Sequence, residues 1–150
     1  MDEAGLGTGV HAEILFKEPL LVAVPPGHPF AGRKRIALAK LAGEPLVIMK
    51  TGHGFRTIVL DALARAGVQP RIVYESDGID TVQALVEAGL GLSLVPTMVR
   101  KADGPAYVEI APPTPSRTIV LARRDSRASS PAAAAMSAVI TRCFGRSRQA

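Results

Sequence analysis

Cysteine occurs once, at Cys143, and tryptophan does not occur at all. A lone thiol cannot close a disulfide within the chain, so a disulfide scaffold is excluded and a reducing, cytoplasmic setting fits. Aromatic residues make up only 4% of the chain, so any core must be aliphatic. No stretch approaches the roughly 18 uncharged apolar residues expected of a membrane span. The N-terminus, Met1-Asp2-Glu3-Ala4-Gly5, is acidic and lacks an apolar core, so no secretory signal is expected. The three histidines and the cysteine show no metal-ligand spacing; His11 stands alone, and His28 reads as a surface turn residue. No Ser, Cys or Lys lies in a nucleophile motif beside a base, and Cys143 reads as a packing residue of a last helix. The expectation is therefore a binder without catalytic residues, metal or cofactor.

What is present is enough for a packed domain, or two small lobes. The chain has 150 residues, 47% hydrophobic and 21% charged, which excludes a disordered or collagen-like chain. Its net charge of +5 is unevenly placed. Residues 1–114 carry 11 Lys/Arg against 12 Asp/Glu, whereas residues 115–150 carry 7 Arg against Asp125 alone. The arginines of the last quarter form no run longer than Arg123-Arg124 and only Phe144 lies among them, so they do not read as a nucleic-acid site.

The chain reads as alternating strands and helices. Leu20–Val24 is a continuous apolar run bounded by Pro19 and Pro25-Pro26, too short for a helix and suited to a buried strand. Leu46–Met49, Arg71–Glu75 and Gly91–Val95 are further strands. Between them, Phe55, Val59, Ala62, Leu63 and Ala66 fall at helical spacing, as do Ile79, Val82, Leu85, Val86 and Ala88. Gly67 and Gly89 are placed to end these helices in a left-handed conformation. Strand, helix, strand, helix, strand is the order of βαβ units and a largely parallel sheet. Thr118–Ala122 reads as a late strand, a polar turn spans Arg123–Ser130, and Ala132–Phe144 is a helix capped by Ser129 or Ser130 before Pro131. The connectors Pro25–Pro29 and Pro96 bracket residues 30–96 as one lobe, leaving 1–29 and 97–150 to build part of another.

Two corners attract interest. Thr51-Gly52-His53-Gly54-Phe55-Arg56 follows a parallel strand and opens a helix, where open α/β sheets place ligands and where free backbone N–H groups favour an anion. The alternative is an ordinary turn with Arg56 salt-bridged or solvated. Ser76-Asp77-Gly78-Ile79-Asp80-Thr81 is the equivalent corner one unit later, with Ser76 or Asp77 as a helix cap. Asp77 and Asp80 would oppose an anion there, which favours a polar or amphipathic ligand, or else they point outward. Gly89-Leu90-Gly91 is not a dinucleotide fingerprint, because it follows a helix and opens a strand.

The residues resemble the effector-binding domain of LysR-type transcriptional regulators. The resemblance rests on Glu18-Pro19-Leu20-Leu21-Val22-Ala23-Val24-Pro25 with Gly27-His28-Pro29, and on Leu41-Ala42-Gly43-Glu44-Pro45-Leu46-Val47-Ile48. It continues through Gly54-Phe55-Arg56, Leu60-Asp61, Gly67-Val68-Gln69-Pro70 and Glu75, then Val86-Glu87-Ala88-Gly89-Leu90-Gly91 and Leu94-Val95-Pro96. It covers about residues 13–144. It implies an α/β fold like the type 2 periplasmic binding proteins: one complete βαβ lobe plus the returning half of a second. It also implies a small polar or anionic effector held between lobes, contacted by Thr51, Gly52, His53, Gly54, Phe55 and Arg56, and by Ser76, Asp77, Ile79 and Thr81. By the same resemblance, homo-oligomers are expected, and DNA would be bound only through an N-terminal winged helix-turn-helix that does not precede Met1. The alternatives are a truncated fragment without independent function and a solute-binding protein of the same fold.

Overall fold

The computed structural model describes residues 9–124 and 130–144. Contacts divide the chain into two compact units, one of residues 18–117 and one of 1–17 with 118–150.

In the first unit, strand β1 (Val10–Val24) supplies its C-terminal half, followed by β2 (Arg35–Ile36), a 3-10 turn at Leu38–Leu41, and β3 (Pro45–Met49). Helix α1 (Gly54–Arg65), β4 (Arg71–Ser76), α2 (Ile79–Glu87), β5 (Ser93–Pro96) and β6 (Ala106–Ile110) complete it. One sheet has the order β2-β6-β1-β5; β3 and β4 form a parallel pair. The two are joined where Leu46 bridges Leu92 in parallel, with the Val47 N–H donating to the Leu92 carbonyl and the Leu92 N–H to that of Pro45, both at 2.8 Å.

Side chains alternate across a strand, and here both faces are buried. Leu20, Val22 and Val24 point into one aliphatic cluster with Leu46, Ile48, Leu92 and Leu94. Leu21 and Ala23 point into the other, with Val47 and Val95. Val59 and Leu63 of α1 close the first cluster; Val82 and Val86 of α2 close the second. This explains why Leu20–Val24 reads as an unbroken apolar run.

The expected parallel third strand departs from its pattern. Only Leu92 continues the β3 edge; β5 itself begins at Ser93 and runs antiparallel to β1, pairing Leu21 with Val95. Gly91 makes the close approach to β3. A Cβ built there meets the Pro45 carbonyl oxygen at 2.6 Å. Gly67 and Gly89 end the helices at positive φ (71° and 86°), as expected. His28 departs from a solvated turn residue: its Nδ1 accepts the Phe30 N–H at 3.1 Å and its ring packs edge-on against Phe30.

In the second unit, β7 (Ser116–Arg124) pairs with β1, and α3 (Pro131–Phe144) follows. Ser130 Oγ accepts the Ala133 N–H at 3.2 Å, the expected cap. Phe16 stacks on Phe144 with ring centroids 5.4 Å apart. Cys143 is exposed rather than packed, because it lies off the side of α3 that Phe144 and Thr141 turn toward β1. Ser129 and most of the expected polar turn lie outside the described residues.

Gly91→Ala is expected to destabilise the chain by about 1–3 kcal/mol, since a backbone carbonyl cannot move aside as a side chain can. Urea unfolding measures this; a change within about 0.5 kcal/mol, the range of a neutral surface substitution, contradicts the close-approach account.

Candidate functional site

Strands β3 and β4 end together: Met49 pairs with Ser76, and the Lys50 N–H donates to the Ser76 carbonyl at 2.9 Å. Each strand then turns into a helix, so the N-termini of α1 and α2 meet at one edge of the pair. The N-cap residues, His53 and Gly78, make no side-chain capping bond. Apart from the Arg56 N–H, which donates to the His53 carbonyl at 3.0 Å, the first N–H groups of both helices are left for another acceptor, and both helix dipoles present their positive ends. Gly52 turns the first loop at φ 98°, a conformation that favours glycine.

The ten expected contact residues fall at this edge but differ in what they can offer. Thr51 and Thr81 are exposed, and neither hydroxyl has a hydrogen-bond partner among the described residues. Phe55 is half-buried against the aliphatic core at the start of α1. Ile79 packs on the other cluster. Arg56 is engaged: its Nη1 donates to the Met49 carbonyl at 2.7 Å and to Glu75 Oε1. That pair fastens the first turn of α1 to both strands. Ser76 is buried, and its Oγ accepts the Gly78 N–H at 3.3 Å, so it shapes the turn. Neither Ser76 nor Asp77 is the N-cap of α2; Gly78 is, because the turn carries the chain one residue further.

The two acids that would oppose an anion are both paired. Asp77 Oδ2 accepts Lys50 Nζ at 2.7 Å, and its Oδ1 lies 3.7 Å from His53 Nε2. Asp80 pairs with Lys101 at 2.8 Å. The Lys50 hydrogen bond holds the Asp77 carboxyl below its ordinary pKa, and the same bond raises Lys50. Lys50 is the contributor that motif reasoning missed; its signal was a cation at the strand end, one residue before the loop. Arg117 was missed as well. Its guanidinium lies over the Phe55 ring, 5.8 Å from the centroid.

A cavity of about 580 Å³ lies elsewhere, between the middle of α1 (Ile58, Asp61, Ala62, Arg65) and the Pro112–Ser116 segment. None of the ten expected residues lines it. Its walls are mainly alanine, leucine, isoleucine and proline, and the first-turn residues of neither α1 nor α2 line it. Among the described residues, no group of three or more His, Cys, Asp or Glu side chains could hold a metal ion.

The family model of the LysR substrate binding domain matches residues 2–144. The chain belongs to that family, and its fold is periplasmic-binding-protein-like. It is 34% identical over 114 residues to the hydrogen peroxide-inducible genes activator of Pectobacterium carotovorum, covering 73% of this chain and 38% of that protein. The chain thus spans less than two fifths of the length of such relatives. Among solved structures, the C-terminal domain of a probable LysR family regulator from Rhodococcus sp. RHA1 superposes with a TM-score of 0.82 at 26% identity, over 93% of this chain and 71% of that one. The effector binding domain of QuiR in complex with shikimate superposes with a TM-score of 0.86 over 95% of this chain and 68% of that one, and at 24% identity shows the shared fold.

The Asp77 carboxyl should titrate below the ordinary aspartate value, and Lys50→Met should move its midpoint upward; side-chain carboxyl NMR reads both. Because its folded pKa is depressed, this pair supports the fold above the ordinary aspartate pKa and is lost as pH falls through the depressed value. An unchanged midpoint in Lys50→Met contradicts the pairing.

Proposed function

We propose that this chain is the effector-sensing portion of a LysR-family bacterial transcriptional regulator, binding a small polar or anionic metabolite at the C-terminal edge of β3 and β4. The observation that carries the proposal is the convergence of two side-chain-uncapped helix N-termini on that edge. Hydroxyls at Thr51 and Thr81, the Phe55 ring and the Lys50–Asp77–His53 cluster surround it. An anionic group of the ligand meets N–H groups and dipole. Its hydroxyls meet Thr51, Thr81 and Asp77, and its apolar face meets Phe55. The shikimate held by QuiR, a carboxylate with several hydroxyls, has this chemistry. The aliphatic cavity beside α1 offers fewer polar groups and no α-helix N-terminus, which is why the strand edge is preferred.

Residues 30–96 form the body of the second regulatory lobe in this reading. The ligand acts by population shift: it must bind one arrangement of the regulator better than another. DNA contact belongs to an N-terminal domain of the intact parent, and the role is sensing rather than catalysis in the cytoplasm. Self-association is part of the proposal. Strand β4 pairs with β3 on one side, and its bulge leaves Val73 45% and Tyr74 49% exposed beside an outer edge able to pair.

Thermal unfolding in the presence of polar carboxylates, shikimate first, tests the proposal. A ligand at about 100 times its Kd stabilises the fold by about 2.7 kcal/mol. Thr51→Val and Phe55→Ala should abolish the shift while Arg65→Ala, in the cavity, retains it. Failure of every polar carboxylate to raise the melting temperature, or a shift lost in Arg65→Ala and kept in Thr51→Val, overturns the site.

A further inference from the structure

Glu18, on β1, is 6% exposed. A carboxylate so buried is tolerated only when paired and fully hydrogen-bonded. Its Oε2 accepts Arg117 Nε at 2.9 Å, with Arg117 Nη2 2.8 Å from the same oxygen in the ion pair, and its Oε1 accepts the Met98 N–H at 2.9 Å. The same place holds two further bonds: the Thr97 hydroxyl donates to the Pro19 carbonyl at 2.8 Å, and the Leu20 N–H to the Pro115 carbonyl at 2.9 Å. Three separate chain segments, 18–20, 97–98 and 115–117, are thus fastened around one buried charge. Glu18 and Arg117 are also the first and last residues of their compact unit. On its other side the Arg117 guanidinium lies over the Phe55 ring.

We propose that Arg117 is a positioning residue of the effector site: oriented by Glu18, it fixes the Phe55 ring at the start of α1 and couples that ring to the segments around Leu20 and Met98. The guanidinium is planar and held on one carboxylate oxygen by the Nε–H bond with Nη2 beside it, so it cannot follow a displaced ring without loosening a charge-assisted pair. A ligand that moves Phe55 therefore acts on Glu18, and through it on the Met98 N–H. Lysine keeps the charge but loses the planar guanidinium face that lies over the ring. The significance for sensing rests on the site proposed above; the coupling itself does not.

The test uses the full chain without ligand and reads backbone amide hydrogen exchange by NMR in wild type, Phe55→Leu, Arg117→Lys and the double variant. Removing the ring from Arg117 should speed exchange at Met98 and Leu20 by about two- to fivefold, the size of a cation–π contact near the surface. In the Arg117→Lys background the same Phe55→Leu change should add nothing at those amides, and β6 amides should be unaffected by it in either background. Three results overturn the proposal: unchanged exchange at Met98 and Leu20 in Phe55→Leu, an equal effect in the Arg117→Lys background, or equal acceleration in β6, which marks a general loss of stability. If Arg117→Lys does not fold, Glu18→Gln replaces it in the cycle under the same criteria. A failed ligand screen leaves this result standing, and a failed cycle leaves ligand binding standing, so the two readings fail separately.

Discussion

Burial of both faces of the central strands governs this structure. Successive residues of β1 face opposite aliphatic clusters, and neither can be left to water. One helix must cover each face, and α1 and α2 do so. A helix that follows a parallel strand starts at that strand's C-terminal end. With β3 feeding α1 and β4 feeding α2, both helix N-termini fall at a single edge. The polar character of that edge follows from hydrophobic burial elsewhere: packing decides where the helices run, and their orientation decides where unpaired N–H groups gather.

Side-chain charges at the edge are arranged so that this backbone field is not cancelled. Glu75 is matched by Arg56, Asp77 by Lys50, and Asp80 by Lys101. The Arg56 pair is partly covered and also bonds a strand carbonyl, so it serves as a fastening. The Lys50 and Asp77 pair is open to solvent and worth little as stability, yet it keeps a cation and a carboxylate beside the loop. Glu18 is the contrasting case, a charge withdrawn from water and held by the Arg117 guanidinium and the Met98 N–H, from two segments.

Much of this was legible in the sequence because it rests on local pattern. The helical faces of 54–65 and 79–87, the helix-ending glycines and the Ser130 cap with Pro131 need only periodicity and backbone preference. The unbroken apolar run at Leu20–Val24 signalled a strand buried on two faces. What was not legible depends on distant partners. The direction of β5 is set by its pairing with β1, about seventy residues away in sequence, and no local signal carries that. Arg56 could be read as ligand-facing or structural until Glu75 and the Met49 carbonyl were seen beside it. The role of Arg117 depends on Glu18, 99 residues away. Cys143 was misjudged because an aliphatic helix such as α3 gives no clear sign of which side is covered.

The most direct test of the account is backbone amide chemical-shift mapping of the whole chain during titration with shikimate and simple dicarboxylates. The account predicts saturable shifts concentrated at 51–56 and 77–81, where the two helices begin. Shifts concentrated instead at 37–39, 58–66 and 111–116 would place the ligand in the aliphatic cavity, and no saturable shift with any of these acids would contradict a site for small polar anions at the strand edge.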